Sequence, residues 1–343
     1  MKSLACSVLA VGGLLLAGAG VAGLGSTLWA QEANKGLAWK HGLNFQVRKA
    51  GQTDFKGAPK FGCEIFLDKD VERLVYAAET GAVGVGSTAK LQEKADVDPP
   101  KLYHGLELRV RPVGEKGWDK AKKYGAEVFR DVNADNLVYL SEVGSLAVLP
   151  AADVKAPDKI KDPEWLHGLD LAVRKAGEKE FSDRTRKVSL EVYKDENTNQ
   201  LVYVTDAGQV AVVPARDTTR PAEVKRPEWY HAFEIKVRKA DEEKFTKDTK
   251  AFGVEVYKDD NANNLIYITE TGAIAVVPVG GVTKPSSSKE PKWLLGRSFR
   301  VRPADQKDFN DMTPKLGAEV YRDENADNLV YLTEKGSVCV FRK

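Results

Sequence analysis

The chain repeats one pattern of hydrophobic and polar positions five times. In the second copy, residues 106–110 alternate apolar and charged side chains, which is the two-residue period of a β-strand with one solvent-facing side. Residues 126–129, 137–140 and 146–149 follow as short runs that are apolar on both faces and rich in β-branched and aromatic residues. Turns rich in Asp, Asn and Gly separate these runs. Each copy therefore predicts a four-stranded antiparallel meander.

The copies are evenly spaced along the chain. An arginine marks the same position in each copy, with spacings of 63, 63, 64 and 64 residues: Arg48, Arg111, Arg174, Arg238 and Arg302. A large aromatic residue stands seven positions after each arginine. A fixed period of this length indicates stacked repeat units rather than one irregular domain. The repeats are predicted at 38–86, 101–150, 164–214, 228–278 and 292–343, with linkers rich in Pro, Lys and Asp between them.

The two-sided apolar strands predict how the units pack. A meander of under about 50 residues buries too little surface to be stable alone. Strands that are apolar on both faces need cover on both sides, so neighbouring units are expected to stack face to face. Four-stranded sheets do this in β-propellers of about four to eight blades. We therefore predict an all-β, five-bladed propeller. The alternative is a string of five small β-domains, which the divergence of the first and last copies favours.

One hairpin resembles a known type of blade. Residues 201–213, LVYVTDAGQVAVV, are similar to NHL and related propeller repeats, in which a LYVTD-x-G-x-V-x-V hairpin recurs. The resemblance is confined to this hairpin of each unit, and it implies a propeller fold.

The net charge and the N-terminal segment limit which partners and which cellular locations are expected. The chain has 52 Lys and Arg against 50 Asp and Glu, a formal charge of +2, so it lacks the basic footprint of a nucleic-acid-binding protein. Residues 1–30 combine one lysine, a long Ala/Gly/Leu/Val run and a small residue at Ala30, which is typical of a secretory signal peptide. Cleavage there predicts a secreted, periplasmic or cell-surface protein. An uncleaved leader would instead anchor the chain in a membrane.

Two cysteines remain once the leader, with Cys6, is removed: Cys63 in the first copy and Cys339 in the last. One interpretation is two buried small side chains. The other is a disulfide formed in an oxidising compartment. The disulfide requires the first and last units to meet.

All four histidines occupy the same position in four copies, just before the first strand of the pattern. A tryptophan stands two residues earlier in three of them. The set is Trp39, His41, His104, Trp165, His167, Trp229 and His231. One interpretation is a ligand pocket of aromatic and imidazole groups, repeated in each unit. The other is a packing motif, in which tryptophan clamps the next unit and histidine satisfies a backbone carbonyl.

The turn between the second and third strands carries oxygen side chains at alternate positions. The second and fifth copies have two carboxylates each, in Asp131, Asn133, Asp135 and in Asp323, Asn325, Asp327. Hard cations bind such oxygens, so calcium is the one cofactor that the sequence indicates. Asp and Asn also stabilise tight turns directly and tolerate left-handed backbone, which explains the same residues without an ion.

The repeated arginine and a repeated glutamate predict an ion pair between the first and second strands of one unit, because a partly buried charge needs its partner. The alternative is a grip on an anionic or sugar ligand.

Recurrence of the same residues in every copy favours multivalent binding over catalysis, because a catalytic group is normally needed once. No Ser/His/Asp order, Cys/His pair or phosphate-binding glycine loop stands out. We expect a non-enzymatic scaffold that binds glycan or extracellular protein at equivalent positions and gains avidity. Two alternatives are open: an extracytoplasmic propeller enzyme, such as a lactonase-like hydrolase with a metal in its central channel, and a purely structural component of the cell envelope.

Overall fold

The computed structural model describes residues 36–92, 96–152 and 154–342, and the predicted leader lies outside them. Throughout these ranges the chain forms strands, turns and loops, with no helix. It follows that the described part of the chain offers no helix suited to crossing a membrane. The predicted all-β class is confirmed.

Each repeat forms one antiparallel sheet, which we call a blade, with its strands in chain order from one edge to the other. Blade 1 contains β1 (Leu37–Gln46), β2 (Lys60–Asp68), β3 (Arg73–Ala78) and β4 (Val83–Gly86). Blade 2 contains β5 (Lys101–Val110), β6 (Lys122–Asp131), β7 (Asn136–Ser141) and β8 (Leu146–Pro150). Blade 3 contains β9 (Glu164–Val173), β10 (Arg186–Asp195), β11 (Gln200–Thr205) and β12 (Val210–Pro214). Blade 4 contains β13 (Glu228–Val237), β14 (Lys250–Asp259), β15 (Asn264–Thr269) and β16 (Ile274–Pro278). Blade 5 contains β17 (Lys292–Arg300), β18 (Lys315–Asp323), β19 (Asn328–Thr333) and β20 (Val338–Arg342).

The five blades stand in a closed ring. Their fourth strands lie side by side in the order β4, β8, β12, β16 and β20, and β20 lies beside β4. The fourth strands therefore surround the centre, and the first strands form the outer edge. This architecture is a five-bladed β-propeller, as predicted, and it excludes a string of separate domains. Because every blade is built from a single repeat, the ring closes through side chains rather than through a shared sheet.

The hydrophobic core is divided into five clusters, one at each blade boundary. The third strands show why. Every residue of β7, β11, β15 and β19 is buried, since both of their faces are covered by neighbouring blades. Burial of this apolar area on both sides is what holds the blades together.

A glycine in the second strand allows backbone of the preceding blade to lie on the sheet. A Cβ atom at Gly125 would come within 2.1 Å of the carbonyl oxygen of Arg48. Only glycine leaves room for such an approach without a shift. The loops that follow β1, β9, β13 and β17 therefore cross onto the next blade. Equivalent glycines occur at three other boundaries: Gly62, Gly253 and Gly317.

Of the two interpretations of the cysteines, the disulfide is wrong, because within the described residues Cys63 and Cys339 are both free thiols. Cys63 belongs to the cluster between blades 1 and 2, whereas Cys339 packs against the cluster between blades 5 and 1. The first and last units do meet, but blade 1 separates the two sulfur atoms. Burial raises the pKa of the Cys339 thiol to about 12 and that of the Cys63 thiol well above its usual range.

Candidate functional site

Four of the five blade boundaries contain a buried group of histidine, tyrosine and aspartate. Between blades 1 and 2, His41 Nε2 lies 3.1 Å from Asp131 Oδ2, and the Tyr76 hydroxyl donates to the same oxygen at 2.6 Å. The histidine and tyrosine come from one blade, and the aspartate ends the second strand of the next. The equivalent groups are His104, Tyr139 and Asp195; His167, Tyr203 and Asp259; and His231, Tyr267 and Asp323.

These groups are structural and closed to ligands. The four histidines are at most 3% exposed, and the four aspartates are fully buried. The predicted imidazole pocket is therefore wrong for His41, His104, His167 and His231. The packing interpretation describes them correctly except for the partner, which is a carboxylate of the next blade instead of a backbone carbonyl. The aspartate gives the buried Nε2 of each histidine a hydrogen-bonding partner, which a buried polar group needs.

The boundary that closes the ring uses an arginine in place of the histidine. Leu295 occupies the histidine position of blade 5. Two residues further along β17, Arg297 donates to both oxygens of Asp68 in blade 1, at 2.8 and 2.6 Å. Tyr331 keeps the tyrosine bond to Asp68, at 2.6 Å. A bidentate, charge-assisted pair thus joins the last blade to the first.

The environment of the buried aspartates shifts their acidity. Burial by itself would raise the pKa of Asp259. The net effect is a lowered pKa, because Asp259 has a hydrogen bond and an electrostatic attraction to His167 and accepts hydrogen bonds from Asn261 and Tyr203. The pKa values of Asp131, Asp195 and Asp323 are lowered for the same reasons. Burial raises the pKa of the Tyr203 hydroxyl, which therefore stays protonated and donates.

We expect the protein to lose stability in acid, below about pH 4. The folded-state pKa values of these aspartates lie below the ordinary aspartate value of about 4. Their contribution to the free energy of unfolding is therefore complete above that value and disappears as the pH falls through the lowered values. Urea unfolding measured from pH 6 to pH 2 tests this. An Asp259→Asn variant, with one titrating group fewer, should show a shallower decrease, whereas a wild-type midpoint that stays constant down to pH 2 would contradict the prediction.

The predicted calcium turn of blade 2 is held by its own hydrogen bonds. Oδ1 of Asp131 accepts from the backbone and side-chain nitrogens of Asn133, both at 3.0 Å. Its Oδ2 accepts from the buried histidine and tyrosine described above. Asn133 also donates to the carbonyl of Asp98 at 2.9 Å. The structure thus brings Asp131 and Asn133 together, but it already engages their oxygens.

The last residue of each predicted calcium set pairs with basic side chains. Asp135 bonds to Arg130 and Lys90, and Asp327 bonds to Arg322. Asp135 and Asp327 have φ of 55° and 54°, the left-handed conformation that aspartate tolerates in tight turns. In blade 5, the Asn325 side chain bonds back to Asp323 at 3.0 Å and to the carbonyl of Lys289 at 2.9 Å. No cluster of metal-ligating side chains occurs in the described ranges. Calcium stays a prediction, and the turns are explained without it.

The repeated arginine and glutamate pair across blades. Arg48 Nε lies 2.6 Å from Glu127 Oε1 of the next blade. The prediction of a pair within one unit is wrong in its partner, because the loop after the first strand crosses onto the neighbouring sheet. The equivalent pairs are Arg111 with Glu191, Arg174 with Glu255, Arg238 with Glu319, and Arg302 with Glu64. All five glutamates are buried, so these pairs fix the relative position of adjacent blades.

Aromatic rings surround these ion pairs at the outer edge. Between blades 4 and 5, Trp293 Nε1 donates to Glu319 at 2.7 Å, and its ring meets Phe245 edge to face at 6.0 Å between centroids. The guanidinium of Arg238 lies 4.7 Å from the Phe245 centroid. We call this arrangement an edge cluster. The other tryptophan-containing pairs are Phe309 with Trp39, Trp118 with Trp165, and Phe181 with Trp229.

The edge clusters are the accessible part of the boundaries. Trp39 is 47% exposed, Trp293 44% and Phe181 45%. Trp39, Trp165 and Trp229 of the predicted pocket thus lie together with aromatic residues of the preceding blade, and apart from the histidines. The arginine, the glutamate and the second aromatic ring also belong to each edge cluster, and none of them was predicted as part of the pocket. The aromatic residue seven positions after each arginine was the available signal.

The chain matches no family model, and no curated protein matches it. Among solved structures, a catalytically inactive variant of virginiamycin B lyase from Staphylococcus aureus, with quinupristin, matches at 10% identity over 90% of this chain and 74% of that chain. The TM-score is 0.12, which carries no argument about function. The propeller is established by the ring of blades itself.

Proposed function

We propose that this protein is a non-enzymatic scaffold that binds glycans at its edge clusters. The observation that carries the proposal is the repetition of one partly exposed aromatic pair at four of the five boundaries. Exposed large aromatic groups, unlike single exposed aliphatic ones, call for an explanation. A flat ring with an arginine beside it suits a ligand that has both apolar faces and hydroxyl groups, as sugars do.

The size and spacing of the clusters favour a glycan over a protein. A stable protein interface covers about 800 Å² on each partner, whereas one edge cluster offers two rings and an arginine. Several small, equivalent sites around a ring suit a polymer of repeated sugar units, because weak contacts made together gain avidity. The leader predicted at residues 1–30 supports an extracytoplasmic location, where such polymers occur.

We expect removal of two edge-cluster tryptophans to weaken glycan binding. A chain starting at residue 31 is screened on a glycan array, and the best glycan is then titrated. The double variant Trp39→Ala with Trp293→Ala should bind about tenfold or more weakly, because two of four sites are lost together with their avidity.

The matched control is Leu102→Ala. Leu102 occupies the tryptophan position of blade 2 and is 37% exposed, so its loss should leave glycan binding within about twofold. Thermal unfolding of each variant separates loss of binding from loss of fold. Glycan binding that survives in the folded double variant, or the absence of any bound glycan, would refute the proposal.

A further inference from the structure

The fourth strands enclose a central channel with a volume of about 390 Å³. Its wall is apolar, because the same valine recurs in each blade: Val85, Val148, Val212, Val276 and Val340. Pockets of about 300–1,000 Å³ with apolar walls and a few polar groups are the usual sites of small ligands.

The repeat is broken at one mouth of this channel. The third strand starts with an amide residue in blades 2 to 5: Asn136, Gln200, Asn264 and Asn328. In three of these blades the amide donates to the tyrosine hydroxyl of the preceding blade. Blade 1 has Arg73 at this position, and Arg73 lines the channel.

A second exception lies beside the first. The fourth strand ends in proline in blades 2, 3 and 4. In blade 5 the same register position holds Arg342, opposite Asn328, and Arg342 also lines the channel. The guanidinium of Arg73 lies 5.6 Å from the ring centroid of Phe341, the neighbour of Arg342. Two departures from the repeat, in adjacent blades, thus bring two cations to one mouth.

Neither arginine is paired with a carboxylate within the ranges that the structure describes. Arg73 donates to the carbonyl of Glu72 at 3.1 Å, and Arg342 donates to the carbonyl of Val279 at 3.0 Å. The arginines of the blade boundaries, in contrast, each hold a buried carboxylate. Two positive charges at the opening of an apolar channel favour an anionic group there.

We propose that the central channel binds a small amphipathic anion, a carboxylate or a phosphate ester with an apolar tail. Its charged head contacts Arg73 and Arg342, and its tail lies among the valines. This site is separate from the edge clusters, which lie at the opposite, outer edge of the blades.

Calorimetric titration of the mature chain with four octyl compounds tests the proposal. Octanoate and octyl phosphate carry the two anionic heads, octanol has none, and octyltrimethylammonium has the opposite charge. We expect at least one anion to bind about tenfold or more tightly than octanol, and the cation to bind most weakly. Whichever anion binds tighter identifies the head group.

Variants assign the binding to the channel. Arg73→Asn restores the residue of blades 2, 4 and 5, so this change should fold. Combined with Arg342→Gln, it should weaken the preferred anion about tenfold or more and leave octanol unchanged. Arg322→Gln, at an exposed arginine outside the channel lining, should change nothing. Val212→Phe fills the channel and should weaken the anion and octanol together.

Two results would overturn the proposal. One is an unchanged anion affinity in the folded arginine double variant, and the other is a dissociation constant weaker than about 1 mM for both anions with the wild type. If Val212→Phe does not fold, the arginine variants decide alone, since thermal unfolding reports their fold independently.

Discussion

A chain that ends at Pro278, after the fourth blade, should fail to fold as a cooperative monomer. Such a chain lacks blade 5, and this loss uncovers two apolar faces at once, one on blade 4 and one on blade 1. On blade 1, the side chains of Phe66, Val75, Val83 and Val85 would lose their cover from blade 5. Burial of one such side chain contributes about 1.5–3 kcal/mol to the free energy of unfolding. The loss from this face alone is therefore comparable to the total free energy of unfolding of a typical domain, about 5–15 kcal/mol.

Size-exclusion chromatography and near-ultraviolet circular dichroism measure the outcome. We expect aggregation or a loosely packed chain without a cooperative urea transition. A soluble four-blade monomer with a sharp transition would contradict the idea that each blade depends on its neighbours for cover.

A circular permutant provides the control, because it moves the termini without removing a blade. The chain is opened between Asp158 and Lys159, both exposed in a linker. Arg342 is then joined to Ala38 through a copy of residues 279–291, which connects the equivalent positions of blades 4 and 5. The permutant should keep a cooperative transition, since all five boundaries are retained. If the permutant also lacked a cooperative transition, the cause in both chains would be the altered linkers and not the missing blade.

Asp259→Ala should destabilise the protein by about 2–6 kcal/mol, because two buried donors, on His167 and Tyr203, lose their acceptor, and each unsatisfied buried donor costs about 1–3 kcal/mol. Asp259 is fully buried. Its Oδ2 accepts from His167 at 2.9 Å and from Tyr203 at 3.0 Å, and its Oδ1 accepts from Asn261. The substitution also removes the acceptor of the backbone and side-chain nitrogens of Asn261, which is partly exposed. Urea denaturation at pH 7 gives the change in the free energy of unfolding.

Asp260→Ala is the matched control for this measurement. Asp260 is the next residue, is exposed, and pairs only with Lys258 among the described side chains. An exposed ion pair of this kind contributes little to stability, so the free energy of unfolding should change by no more than about 0.5 kcal/mol. Equal effects of the two substitutions would show that the buried group of histidine, tyrosine and aspartate does not hold the boundary.

Three boundaries, those between blades 2 and 3, 3 and 4, and 4 and 5, contain both a buried histidine group and an edge cluster, and the two differ in their contact with solvent. The histidine, tyrosine and aspartate groups lie inside the boundary, out of contact with solvent, and join adjacent blades. The edge clusters also join blades through their ion pairs, but they keep aromatic surface exposed. Substitutions in the interior should change the free energy of unfolding, whereas substitutions of the exposed rings should change binding.

The sequence alone determined the repeat, its length and its strands, because these depend on local patterns: alternation of side chains, runs of β-branched residues and turns with Asp, Asn and Gly. It also predicted stacking, since strands that are apolar on both faces need two covered sides. It favoured a closed ring over a string of five small β-domains but could not show the closure, because closure depends on a contact between the first and last units that no local pattern records. The contact of β20 with β4 decided that.

Only the tertiary structure decided which residues are partners. In a chain of near-identical repeats, Arg48 has a glutamate available in its own unit, Glu64, and an equivalent one in the next, Glu127. Residue identity cannot distinguish these two carboxylates, and the one nearer in sequence was the predicted partner. The structure pairs Arg48 with Glu127 because its loop crosses onto the next blade. The buried histidines also bond to aspartates of the next blade, which residue identity could not predict. Arg73 and Arg342 lie at the same mouth of the channel because the ring closes between blades 5 and 1.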